Sequence, residues 1–370
     1  MSGTNFEGYT ISLDQAFSEM DEQKNTPTKS ALSQFRRSIS YEFFRDLFES
    51  LIAGWHAERA TWKGFYFTAI DGDRCSLPCT ESILKEGYRG EPTKEEKETY
   101  YPVAFTTSAT DMISGTPLDS TFSPKNDEIA SAIELTERSL AREKTVFVFD
   151  RFYLSDRILS LFCAKDAGYF IARCKQKGSF MEITEFAQSG LNEDTVEIEG
   201  QMVRLVRYSH CKSKNDLIFA TNLPRRFSAN EIGEIYGHRW EAETANRDRT
   251  STMKSEQFHA KDLNGIKQEF YTCLVIQAIA RMTCAYETKP EKDFMKKTYK
   301  KANFKAAFTK ITQNIQGLIQ GCQTFFKSLS ELLRKDIEIR SRNSRSYERT
   351  LRRPVGKLYK HRSLVPRRAN

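Results

Sequence analysis

The sequence has no apolar run approaching the roughly 20 residues needed to cross a bilayer. It opens without a charged segment leading into an apolar one, so no secretion signal is read, and the expected place is the cytoplasm, at the nucleoid within it. It has no Gly-x-Gly-x-x-Gly or Walker-type loop, which argues against a nucleotide-using metabolic enzyme. Cysteine is present without pattern: Cys75, Cys79, Cys163, Cys174, Cys211, Cys273, Cys284 and Cys322 are scattered along the chain. Cys75-x3-Cys79 and His210-Cys211 each lack a second ligand pair. Neither a disulfide framework nor a structural zinc site is therefore expected. No internal repeat is found.

What is present is a charged chain of 370 residues, enough for two or three domains with a full core. Its net charge of +8 is unevenly placed. From Arg334 to Asn370 there are thirteen Lys/Arg against three acids, a net of +10, so the remainder carries about −2. Such a tail is either a solvated end or a phosphate-binding arm whose affinity falls with salt.

Residues 1–60 read as a helical N-terminal region, with Phe43, Phe44, Leu47, Leu51 and Ile52 at helical spacing. Arg36 and Arg37 could touch DNA there, although the apolar face reads first as packing. Residues 61–177 read as the first part of a core. GFYFTAID is a strand, YYPVAFTTSATDMISGTPLDSTFS a hairpin turning near Asp111 to Gly115, and KNDEIASAIELTERSLAREK an amphipathic helix. TVFVFD is a second buried strand, SDRILSLFCAKDAG a helix ended by Gly168, and YFIARC a third strand. Residues 178–224 read as an antiparallel β-strand insertion. Residues 225–290 read as core helices, the first capped by Ser228 or Asn230 and carrying Glu243. Residues 291–370 read as a helical C-terminal region, interrupted at Gly317 or Gly321, and the basic tail. The fold class is α/β: a mixed sheet flanked by helices.

Two aspartates stand at the ends of apolar runs, Asp71 after GFYFTAI and Asp150 after TVFVF. Each alone reads as a turn former or a helix cap. Gly72 would let the backbone turn close to a ligand, and Asp73 is a competing acid two residues on. Tyr236, Arg239 and Glu243 are spaced i, i+3, i+7, which on one helix shares a face. Two strand-end aspartates and a helix-borne glutamate suit a two-metal phosphoryl-transfer site. Oxygen-only ligands favour Mg²⁺ or Mn²⁺. Arg239 can fork onto phosphate oxygens, and Tyr236 can donate to a phosphate or order the glutamate.

With AIDGDRCSLP around Asp71, VFVFDRFYLSDR around Asp150, IYGHRWEAE leading to Glu243, KSEQFHAKDLNGIKQEFY and the basic tail, the chain resembles the DDE transposases of bacterial insertion sequences. The branch is the one with a Tyr-x2-Arg-x3-Glu-x6-Lys motif, and the resemblance spans roughly residues 28 to 370. It implies an RNase H-like core with a β-strand insertion before the glutamate. It makes Asp71, Asp150 and Glu243 the catalytic metal ligands. It further implies binding of transposon inverted-repeat ends and target DNA, strand cleavage and strand transfer by a homodimer. The motif lysine falls at Thr250, the usual aromatic pair at Ala245 and Asn246, and a small hydroxyl residue at Asp73. Arg247 and Lys254 are the nearby cations that could bind DNA phosphate in the lysine's place. Three alternatives stay open: a DNA-binding relic with impaired catalysis, an RNase H-like nuclease without strand transfer, and a regulatory DNA-binding protein.

Overall fold

A computed structural model describes residues 28–89, 102–164, 166–176, 180–209 and 216–341. The first 27 residues, His210, Cys211 and the tail beyond residue 341 lie outside the described residues. The proposed phosphate-binding arm is therefore largely outside them too. The seven described cysteines are free, and no described helix is long and apolar enough to cross a membrane.

Two helices come first, α1 (Lys29–Ser38) and α2 (Tyr41–His56), capped by Thr28 and Ser40 hydroxyls that accept from Ala31 N and Glu42 N. Next come β1 (Tyr66–Ser76), α3 (Glu81–Lys85), β2 (Val103–Asp111), β3 (Pro117–Ser123), α4 (Glu128–Glu137) and β4 (Thr145–Phe149). They are followed by α5 (Asp156–Leu161), β5 (Tyr169–Arg173), α6 (Met181–Ser189), β6 (Glu193–Ile198), β7 (Gln201–Tyr208) and β8 (Leu217–Thr221). The sheet order is β3-β2-β1-β4-β5-β8-β7-β6. β1, β2 and β3 pair antiparallel, while β4 and β5 run parallel to β1. This is the expected α/β class, a mixed sheet flanked by helices with RNase H-like strand order through its first five strands.

The central strands are apolar on both faces because helices cover both. Along β4, Val146 and Val148 join one core with Phe67, Ala69, Phe219, Ile232 and Ile235. Phe147 and Phe149 join the other with Ile158, Phe170 and Phe186. Phe67, Phe147, Phe149 and Phe219 are fully shielded, each worth roughly 1.5–3 kcal/mol of burial.

Three expectations are corrected. Asp71 lies within β1, not at its end, because the strand continues through Gly72–Ser76 on β2, pairing Asp71 with Ser108 and Gly72 with Thr107. Gly72 is therefore a strand residue, not a turn. The segment 178–224 is not strands alone, because MEITEFAQS folds as α6, with Ile183 and Phe186 buried and Gly190 ending it at φ 73°. Its strands also extend the main sheet, through β8 paired with β5.

After the sheet come α7 (Ala229–Gly237), α8 (Trp240–Arg247), a π-helical turn over Asp248–Thr252, and the long α9 (Leu263–Thr288). Ser228 caps α7 in a reciprocal capping box with Glu231. The single helix expected from Tyr236 to Glu243 is broken. His238 N and Arg239 N bond back only three residues, to Ile235 O and Tyr236 O, and the His238 ring stacks on Phe294 at 4.2 Å. α9 packs on α2 through Phe48, Ile52, Phe270 and Leu274. A short hairpin of β9 (Thr298–Lys301) and β10 (Glu338–Ser341) brackets α10 (Phe304–Gln313), α11 (Ile315–Ile319) and α12 (Gln323–Lys335). The interruption expected in this last helical run falls at Asn314, which caps α11, and at the turn of Gly321.

One ion pair in this frame is fully buried. Arg59 Nε meets Asp111 Oδ1 at 2.8 Å, and Arg59 Nη2 also donates to Thr68 Oγ1 at 2.8 Å. Asp111 further accepts from Ser114 N and Oγ, closing the β2–β3 turn. Removing one partner strands a buried charge, which costs about 3–5 kcal/mol. Arg59→Leu is therefore expected to lower unfolding free energy by that amount in urea titrations. A loss under about 1 kcal/mol contradicts this role.

Candidate active site

The parallel ladder between β1 and β4 ends at Ile70 opposite Phe149. The next residues on the two strands are Asp71 and Asp150. Side-chain alternation carries both to the face that holds Phe67, Ala69, Val146 and Val148, the face covered by α7. Two carboxylates thus leave neighbouring strands on the same side, where the strands part.

The break between α7 and α8 makes the third element converge on them. Tyr236, on α7, donates its hydroxyl to Asp150 Oδ1 at 3.1 Å. Arg239, at the break, reaches Glu243 Oε1 on α8 with Nη2 at 2.5 Å and Asp71 Oδ1 with Nη1 at 3.5 Å. Across the kink Tyr236, Arg239 and Glu243 still adjoin one another, the Arg239 guanidinium lying over the Tyr236 ring at 5.7 Å and pairing with Glu243. Burial alone would lower the Arg239 pKa, but Tyr236, Asp150, Glu243 and Asp71 hold it above the ordinary value. The Arg239 Nε is buried without a hydrogen-bond partner. Burial, helped by Glu243 and Asp73, pushes the Asp71 carboxyl up to about 6 against the pull of Arg239 and of the Asn246 hydrogen bond.

The departures from the motif have definite places. Asn246 is 8% exposed and donates Nδ2 to Asp71 Oδ2 at 3.1 Å. Arg249 is buried and donates to Asn246 Oδ1 at 3.1 Å and to Ser108 Oγ at 3.2 Å. Ala245 is buried, with its carbonyl accepting from Gln277 Nε2 at 2.8 Å. Thr250 lies in the π-helical turn, its hydroxyl bonded to Asn246 O and Arg247 O. Asp73 shares the Asp71 face and accepts from Arg74 N at 2.8 Å. The structure does not bring Arg247 or Lys254 to the acids. Arg247 is exposed against Thr244 of its own helix, and Lys254 is an exposed residue at φ 53° beyond the π-helical turn.

Sequence reasoning missed Asn246, Arg249 and Glu128 as parts of this site. The first two continue from Glu243 at i+3 and i+6, a helical spacing inside TANRDRT that carried the signal. Glu128 begins α4 on the opposite sheet face. A Cβ on Gly72 would lie 2.6 Å from its Cδ, and Tyr153 donates to its Oε2 at 3.1 Å. The absence of a side chain at position 72 makes room for that carboxylate and does not serve a turn.

The donor chemistry fits a hard divalent cation. Asp71, Asp150 and Glu243 offer carboxylate oxygens only, and Arg239 pairs with two of them, Asp71 and Glu243. Among the described residues, no three acidic, histidine or cysteine side chains stand close enough to share an ion. In this arrangement Arg239 supplies the compensating charge.

Residues 62–279 match the protein family described as a transposase DDE domain. No curated protein matches the chain. Among solved structures it is similar to a piggyBac transposase synaptic complex with hairpin DNA, at 13% identity and a TM-score of 0.39, over 90% of this chain and 69% of that one.

The raised Asp71 pKa has a definite sign. The carboxyl binds its proton more tightly folded than at its ordinary 3.8, so its contribution to stability is full below that value and is lost as pH rises through about 6. Asp71→Asn is expected to gain on the wild type across that interval in metal-free buffer. Allowing for a side chain 21% exposed, the gain is about 2 kcal/mol at pH near 7.5. Urea titrations at several pH values read it, and a difference independent of pH contradicts it.

Proposed function

The chain belongs to the transposase DDE domain family, and from that premise we propose that it cuts the inverted-repeat ends of a mobile element and joins them to target DNA. The observation that carries this reading is the pairing of Arg239 with Asp71 of β1 and Glu243 of α8, with Asp150, at the end of β4, held by Tyr236 of α7. In keeping with the resemblance of the Tyr236–Arg239–Glu243 spacing, we place the protein in the bacterial insertion-sequence branch. It would act as a homodimer on DNA, at the nucleoid.

Asp71, Asp150 and Glu243 are the residues that would hold Mg²⁺ or Mn²⁺. Such ions, if bound there, would supply activation of a water or a 3′-hydroxyl and charge neutralisation at the leaving oxygen of a phosphodiester. The chain's own part is orientation. Tyr236 fixes Asp150 through its hydroxyl. Arg239 has a buried Nε donor without a partner, and its planar fork suits a phosphate bearing two acceptor oxygens. Arg247 and Lys254, exposed beyond Glu243, serve in this reading as backbone phosphate contacts, with affinity that weakens as salt rises. Thr250 takes no such part, since its hydroxyl is used on its own helix.

A duplex carrying the inverted repeats that flank the coding region, incubated with the full chain and Mg²⁺, tests the reading. Asp71→Ala, Asp150→Ala and Glu243→Ala are each expected to abolish cutting while DNA affinity stays at the wild-type level. Wild-type cutting by any one of them removes that residue from the site. Cutting without joining of the 3′-hydroxyl ends gives the nuclease reading in place of this one.

A further inference from the structure

Two residues that depart from the family motif, or lie beside a departure, meet behind Asp71. Arg249 is 4% exposed. Its Nη1 and Nη2 go to neutral oxygens, Ser108 Oγ at 3.2 Å and Asn246 Oδ1 at 3.1 Å. Its guanidinium carbon lies over the Phe270 ring, 5.7 Å from the centroid. A buried cation held by neutral oxygens is an expensive arrangement, since burial disfavours its charged form. Burial indeed lowers the Arg249 pKa, against the opposing pull of Asp73, Cys75, Cys273 and Glu256.

The Asn246 amide explains the arrangement. Its Nδ2 donates to Asp71 Oδ2, and its Oδ1 accepts from Arg249. Turned over, the same amide would set its oxygen against a carboxylate and its NH₂ against a guanidinium. Both contacts would then be repulsive, so the cation fixes which way the amide points. The two oxygens of Asp71 are thereby divided. Oδ2 is tied to Asn246, and Oδ1 is left facing Arg239.

We propose that Asn246 and Arg249 are positioning residues for Asp71, Arg249 orienting the Asn246 amide and that amide fixing the carboxylate that takes part in holding the divalent ion. The chain thus supports its first aspartate with an asparagine–arginine relay, using positions where the family has an aromatic residue and a neighbour of its lysine. This rests on the reading of Asp71 as a metal-holding residue.

Titration of the full chain with Mn²⁺ alone, followed by the loss of the free-ion paramagnetic resonance signal, tests both claims separately. Asn246→Leu is expected to weaken Mn²⁺ binding by about 10–100-fold, the usual consequence of losing a residue that orients a ligand. Its melting temperature should fall, because Arg249 and Asp71 each lose a buried partner, while its affinity for random-sequence duplex DNA stays at the wild-type value. Arg249→Gln should act in the same direction, and the double variant should bind no more weakly than Asn246→Leu. Should Arg249→Gln fail to fold, Asn246→Leu carries the test alone. Wild-type Mn²⁺ affinity in Asn246→Leu, or effects that multiply in the double variant, overturns the relay. Asp71→Ala separates the two levels. If it loses Mn²⁺ while Asn246→Leu does not, the relay is wrong and the metal site stands. If Asp71→Ala binds as well as the wild type, the metal reading fails and the relay falls with it.

Discussion

Arg239 places a positive charge where carboxylates from β1, β4 and α8 approach one another. Like-charged carboxylates brought near one another repel, more strongly in a partly buried site than in water. A cation paired with both Asp71 and Glu243 offsets that repulsion. The guanidinium is a suitable cation for the task, because its charge is always present and its fork engages more than one acid at once. It remains incompletely satisfied, with Nε unpartnered.

The frame behind this cluster is a sheet buried on both faces. Parallel pairing of β1 with β4 stops at Ile70 and Phe149, so the first residues past the ladder are the two aspartates. Antiparallel pairing of β1 with β2 continues beyond that point and keeps Asp71 from swinging as a turn residue would. Gly72, between Asp71 and Asp73, leaves room for Glu128 from the opposite face. The short β1 segment from Asp71 to Asp73 is therefore crowded with carboxylates on both sides of the sheet. Buried cations at Arg239 and Arg249 answer those on one side, and the Tyr153 hydroxyl meets Glu128 on the other. The raised Asp71 pKa is the electrostatic trace of that crowding.

Much of this was legible in the sequence because the central strands are short apolar runs, and a strand buried on both faces can be read without alternation. TVFVF gave β4 and put Asp150 at its end. Of the two caps read for α7, Ser228 and Asn230, the structure uses Ser228. The outer half of β1 was not legible, because DGDRCS is polar and glycine-bearing. It is a strand only because β2 pairs with it along its whole length. Helix α6 was missed because its nine residues sit among β-alternating neighbours, and a nine-residue helix depends on tertiary burial of Ile183 and Phe186. The helix break at His238 and Arg239 falls directly after Gly237, a residue that weakens a helix, and the His238 ring there stacks on Phe294, far along the chain. The polar run after Glu243 read as loss of a motif, whereas folding turns Asn246 and Arg249 inward onto Asp71.

The central claim is that these three elements form one centre that recruits divalent metal. Fe²⁺-promoted oxidative cleavage of the polypeptide measures it directly, since hydroxyl radicals cut the backbone nearest to a bound iron. The account predicts fragments ending close to Asp71, Asp150 and Glu243 together, all suppressed by excess Mg²⁺. Cuts confined to other parts of the chain, or cuts at these places that Mg²⁺ leaves unchanged, would contradict it.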